Sequence, residues 1–105
     1  MENVTDGTFE EAVIKSPIPA AVFFKSVGCS FCARMTPTME EIAIEYAGRL
    51  KILMMDVAEG MNTAVRYGVM SVPQALIFKD GKQVGEIRGW APKADVVRKI
   101  ESILQ

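Results

Sequence analysis

The chain has 105 residues, 50% of them apolar and 24% charged, with a net charge of −1, enough for one domain with one core. So balanced a charge gives no electrostatic case for nucleic acid or a membrane surface as partner. Histidine is absent, which removes His-based acid–base chemistry and any His-containing metal site.

Residues 1–105 read as a single domain without repeats or linkers. Met1 to Asp6 are polar and acidic, so the sequence as written predicts no signal peptide. No apolar run approaches the roughly 20 residues of a membrane span. The expectation is a cytoplasmic monomer.

In chain order, Asp6-Gly7-Thr8 reads as a turn and N-cap, and Thr8 with Glu11 fits a capping box. Phe9, Ala12 and Val13 give a short helical stripe, ended by Ser16-Pro17-Ile18-Pro19. Ala20 to Phe24 is a continuous apolar run, the pattern of a strand buried on both faces. A longer helix is predicted from Cys29 to Ala47, with Met35, Met39, Ile42 and Tyr46 on one face and Pro37 as an internal kink. Gly48 closes it.

Lys51 to Val57 holds a second core strand that Asp56 ends, and Gly60 to Tyr67 a short helix. Ala75 to Phe78 is a third apolar strand. Lys79-Asp80-Gly81-Lys82 is a hairpin turn, because Asp-Gly tolerates the positive φ such turns need. A more polar edge strand follows from Gln83 to Arg88. Gly89-Trp90-Ala91-Pro92 breaks the chain, and Pro92 suits the first position of a last helix carrying Val96, Val97, Ile100 and Leu104. A short first strand near Val4 completes the set. Strands joined by helices imply a parallel half-sheet, and the hairpin an antiparallel half.

Cys29 and Cys32 are the only cysteines, spaced C-x-x-C where the first apolar run gives way to the long helix. Residues three apart share a helix face. At a helix N-terminus, free backbone N–H groups and the dipole favour a thiolate on Cys29. Cys32, one turn in, is then the more buried sulfur, suited to resolve a mixed disulfide. Two other readings stand beside this one. The cysteines are structural thiols, or they are half of a zinc site, which needs about four ligands and so a dimer bridging two pairs.

This set of residues resembles the thioredoxin family over nearly the whole chain. The resemblance is carried by Cys29-Ser30-Phe31-Cys32 after an apolar strand and Pro37 five residues beyond the second cysteine. Tyr67-Gly68-Val69-Met70-Ser71-Val72-Pro73, Phe78-Lys79-Asp80-Gly81 and Gly89 before the last helix complete it. It implies an α/β fold with a central mixed sheet flanked by helices. It also implies reversible dithiol–disulfide exchange with disulfide-containing protein substrates, with no bound cofactor or metal. Electrons would come from a separate disulfide reductase.

Carried over by position, Cys29 would be the attacking thiolate and Cys32 the resolving thiol. Pro73 would be a cis-proline facing them, and Val72 would offer its backbone to an extended substrate segment. Gly89 would line the same groove. Ser30 could donate a hydrogen bond to sulfur, and Phe31 and Trp90 could form an apolar rim, although a packed surface aromatic is an equal reading of Trp90. Lys25 near the site would favour the Cys29 thiolate, and is otherwise a solvated strand-end residue.

The family's usual W-C-G-P-C is replaced here by Gly28-Cys29-Ser30-Phe31-Cys32. Its buried strand aspartate falls at Phe23, its strand-end tryptophan at Lys25 or Ser26, and the residue after the cis-proline is Gln74. These departures keep two alternatives in view. One is a thioredoxin-fold interaction scaffold with little redox role. The other is a glutaredoxin-like, glutathione-dependent oxidoreductase.

Overall fold

Alternating side chains along three apolar runs divide one sheet between two cores. The computed structural model describes residues 1–105. Its strands are β1 (Glu2–Asn3), β2 (Ala20–Lys25), β3 (Lys51–Asp56), β4 (Gln74–Lys79) and β5 (Lys82–Arg88). They form a five-stranded sheet in the order β1-β3-β2-β4-β5. The pairs β1–β3 and β2–β3 are parallel, and β2–β4 and β4–β5 antiparallel. This is the mixed α/β sheet expected from the sequence.

One face of the sheet buries Ala20, Val22, Phe24, Leu53, Met55, Leu76 and Phe78 against Val4, Phe9, Val13 and Ala64. The other buries Ala21, Phe23, Ile52 and Ile77 against two helices, α1 (Ser30–Glu45) and α3 (Lys93–Leu104). From α1 and its end come Met35, Met39, Ile42 and Tyr46, and from α3 come Val96 and Ile100. Lys93 Nζ ties the start of α3 to α1, at 3.0 Å from Glu41 and 2.7 Å from Glu45. On the first face, α2 (Met61–Arg66) is short, and Asp6 holds its start by accepting from the N–H groups of Asn62 and Thr63 and the Thr63 hydroxyl. No helix is long and apolar enough to cross a membrane.

The hairpin turn is as predicted, with Asp80 at φ 53° and Gly81 at φ 77°. Four local expectations are corrected. The capping box does not form: the Thr8 hydroxyl accepts from the Thr5 N–H and the Glu11 carboxylate pairs with Lys15 instead. The segment behind it is a single wide π-helical turn, Glu10–Ile14, closed by the Lys15 N–H on the Glu10 carbonyl. The long helix ends at Glu45, short of Ala47: the Ala47 N–H donates to the Ile44 carbonyl, three residues back instead of four, and Gly48 then turns left-handed at φ 89°. Pro92 flanks α3 in an extended conformation, one place before the first helical position, and its carbonyl accepts the helix's first bonds from Asp95 and Val96.

Candidate active site

The topology gathers one end of the sheet. β2 runs toward the cysteines, and the start of β4 lies beside its end, with Gln74 paired to Phe24. The end of β5 lies beside the start of β4, with Arg88 paired to Gln74. Pro73 and Gly89, the next residues outward, therefore reach the end where Cys29 stands. The Gly89 N–H donates to the Pro73 carbonyl at 2.8 Å and holds the two loops together. The Val72–Pro73 peptide bond is cis. Val72 itself makes no backbone hydrogen bond within the chain, which leaves its N–H and C=O open.

Cys29 and Cys32 are joined as a disulfide, with Cα atoms 5.2 Å apart. Cys29 is the N-cap of α1, in an extended conformation (φ −82°, ψ 105°), and its sulfur accepts from the Cys32 N–H at 3.1 Å. One of the four donors orphaned at a helix start thus points at Cys29 Sγ. Cys29 is half-buried, whereas Cys32 is 1% exposed. Gly28, just before, takes φ 83°, a left-handed turn that an L side chain strains to adopt. It swings the chain from β2 onto the helix start.

Pro37 has no N–H to give the Ala33 carbonyl one turn back. Nearby, the Thr36 hydroxyl adds a bond to the Cys32 carbonyl at 2.8 Å. An open groove of about 510 Å³ runs behind the disulfide, lined by Lys25, Cys29, Cys32, Pro37, Glu40 and Met54 among others. Phe23, where the family has its aspartate, is fully buried and pairs across the sheet with Met54. The floor beneath Cys32 is thus apolar, and Lys25 and Glu40 are the charged residues on the groove walls.

Ser30 is exposed, and its hydroxyl bonds to neither sulfur, contrary to expectation. As the first helical residue it faces solvent. Phe31 is 51% and Trp90 43% exposed. They are linked by a residue the sequence reading passed over: the Arg34 guanidinium lies 5.3 Å from the Phe31 ring centroid and 5.4 Å from that of Trp90. Phe31 and Arg34 are i and i+3 on a helix, so their contact was open to sequence reasoning. Trp90 comes from a distant loop, and nothing local announces it.

A family model described as Thioredoxin matches residues 1–102. The M-type chloroplastic thioredoxin of Pisum sativum is 37% identical over 101 residues, which cover 96% of this chain and 59% of that protein. Thioredoxin 1 of Synechococcus elongatus is 35% identical over 101 residues, covering 96% of this chain and 94% of that one. The thioredoxin of Rickettsia bellii is 41% identical over 81 residues, 77% of each chain.

Proposed function

Because this chain belongs to the thioredoxin family and its paired cysteines make it a thiol–disulfide oxidoreductase, we infer that Cys29 is the attacking thiolate and Cys32 the resolving thiol of a protein-disulfide reductase. The observation that carries this assignment is the asymmetry of the pair. Cys29 is accessible, caps α1 and receives the Cys32 N–H on its sulfur, while Cys32 is buried behind it. A hydrogen bond to the charged form of a thiol favours that form.

The Cys29 thiolate attacks one sulfur of a substrate disulfide. A bond forms between Cys29 and that sulfur, and the second substrate sulfur leaves as thiolate and takes up a proton. Cys32, once deprotonated, attacks Cys29 Sγ. The Cys29–Cys32 bond forms and the first substrate sulfur leaves in turn. The protein gives up two thiol protons and two electrons, and the substrate disulfide becomes two thiols. A separate reductase, a dithiol or thiol donor, returns the protein to its reduced state.

Pro73, Gly89 and Val72 form the substrate groove in this reading. The unpaired backbone of Val72 favours strand-like pairing with an extended substrate. Phe31 and Trp90 supply an apolar rim, and Ser30 a polar edge. With Phe23 in place of a carboxylate, the proton of Cys32 passes to water in the groove. The protein acts as a cytoplasmic monomer; chloroplastic describes the pea relative and is not carried over to this chain.

An equilibrium redox titration of Cys29–Cys32, read by mass shift after thiol trapping, tests the reading, together with turnover of a disulfide-bonded protein. A two-electron transition with turnover supports it. A pair that never closes supports the scaffold alternative. Efficient recycling by glutathione alone supports the glutaredoxin-like one.

A further inference from the structure

Arg34 is exposed and makes no ion pair or side-chain hydrogen bond. Its helix neighbour two turns on, Glu41, is engaged by Lys93. Three of the other four arginines are paired with carboxylates, Arg49 with Glu101, Arg88 with Glu86 and Arg98 with Asp95, and the fourth, Arg66, lies over the single ring of Tyr67. Arg34 instead sits against two aromatic rings, Phe31 between the cysteines and Trp90 next to Gly89. Gly89 is bonded to Pro73. The guanidinium therefore bridges the cysteine loop and the proline-side loop, one turn of helix from the reactive sulfur.

A guanidinium stacked on a ring keeps its in-plane N–H fork free. That fork matches a carboxylate in two parallel hydrogen bonds. The two ring contacts also hold a side chain that would otherwise wander, so less entropy is lost when the fork is engaged.

We propose that Arg34 is a specificity-determining residue for disulfide exchange: clamped between Phe31 and Trp90, it selects substrates that carry an acidic side chain beside the cysteine attacked by Cys29. The proposal rests on the exchange reading above. A rim charge of this kind acts on encounter and on discrimination between partners more than on raw affinity, and salt screens it. The charges lining the groove behind the disulfide are Lys25 and Glu40, of opposite sign, and none of Phe31, Arg34 and Trp90 lines that groove.

The test uses the prereduced full chain and peptide disulfides identical except for Glu, Gln or Lys on both sides of one cysteine. The second-order rate constant for oxidation of the protein is measured with each peptide. The Glu peptide is expected to react about three- to tenfold faster than the Lys peptide at low salt, the scale of one or two exposed charge pairs. The ratio falls toward one in high salt. Arg34→Gln brings it near one at low salt, Arg34→Lys keeps a preference for the Glu peptide, and the remote Arg98→Gln leaves the ratio as it was. Equal rates in the unmodified protein overturn the proposal while leaving exchange intact. A preference that survives Arg34→Gln and disappears in Lys25→Gln overturns it in favour of Lys25. Failure of every peptide to oxidise the protein overturns the exchange reading and this proposal with it.

Discussion

The backbone N–H of Cys32 points at the sulfur of Cys29, 3.1 Å away. One cysteine thus caps the helix that buries the other. Cys29→Ser is expected to abolish reduction of a protein disulfide, since no other thiol reaches the surface. Cys32→Ser keeps the attacking sulfur and loses the resolving one, so it should accumulate mixed disulfides with substrate. Non-reducing electrophoresis followed by mass spectrometry reads both outcomes, and turnover by Cys29→Ser would refute the assignment.

Gly89 has φ 77° and open space where a Cβ would stand. Gly89→Ala should cost about 1–2 kcal/mol of stability, the strain of a left-handed L residue. The added methyl also projects into free space beside Pro73. Reduction of a protein substrate should therefore fall by about tenfold or more, the scale of a steric misfit. Urea unfolding and substrate kinetics separate the two effects, and unchanged kinetics would remove Gly89 from the groove.

Phe23 is fully buried between the sheet and the helices. Phe23→Ala should lower unfolding free energy by about 3–5 kcal/mol, through lost transfer energy and the cavity left behind. Phe23→Asp, which restores the family's carboxylate, should be worse still, because neighbouring Met54 and Met35 offer the charge no partner. Denaturant midpoints rank the two variants, and a Phe23→Asp protein as stable as the parent would contradict the packing described.

Asp6 has its carboxyl held below the usual 3.8, first by the Thr63 hydroxyl and then by the Thr63 N–H. A carboxylate whose folded pKa is depressed stabilises the fold fully above its unfolded value and loses that contribution as pH falls through the folded value. Asp6→Asn should thus unfold at lower temperature than the parent at neutral pH. The gap should close as the pH drops below 3.8. A gap that stays constant across that range would mean that Asp6 acts through shape alone.

Much of the architecture was legible because the signals were local. Apolar runs at Ala20–Phe24 and Ala75–Phe78, the Asp80-Gly81 turn and the helical spacing of Met35, Met39 and Ile42 each express a short-range preference that packing then reinforced. The errors fell where a local group had two possible partners. Thr8 had the capping-box geometry in sequence, yet its hydroxyl was claimed by Thr5 and Glu11 by Lys15.

By itself the sequence determined the dithiol, its place at a strand-to-helix junction and the apolar residue in place of the buried acid, since all are matters of residue identity and spacing along one segment. Tertiary structure alone decided what surrounds it. The antiparallel registers of β2–β4 and β4–β5 carry Pro73 and Gly89 to the cysteine end. The loop after β5 then places Trp90 against Arg34, more than fifty positions away in the chain. Contacts of that separation depend on strand register and loop path, which no periodicity within either segment encodes.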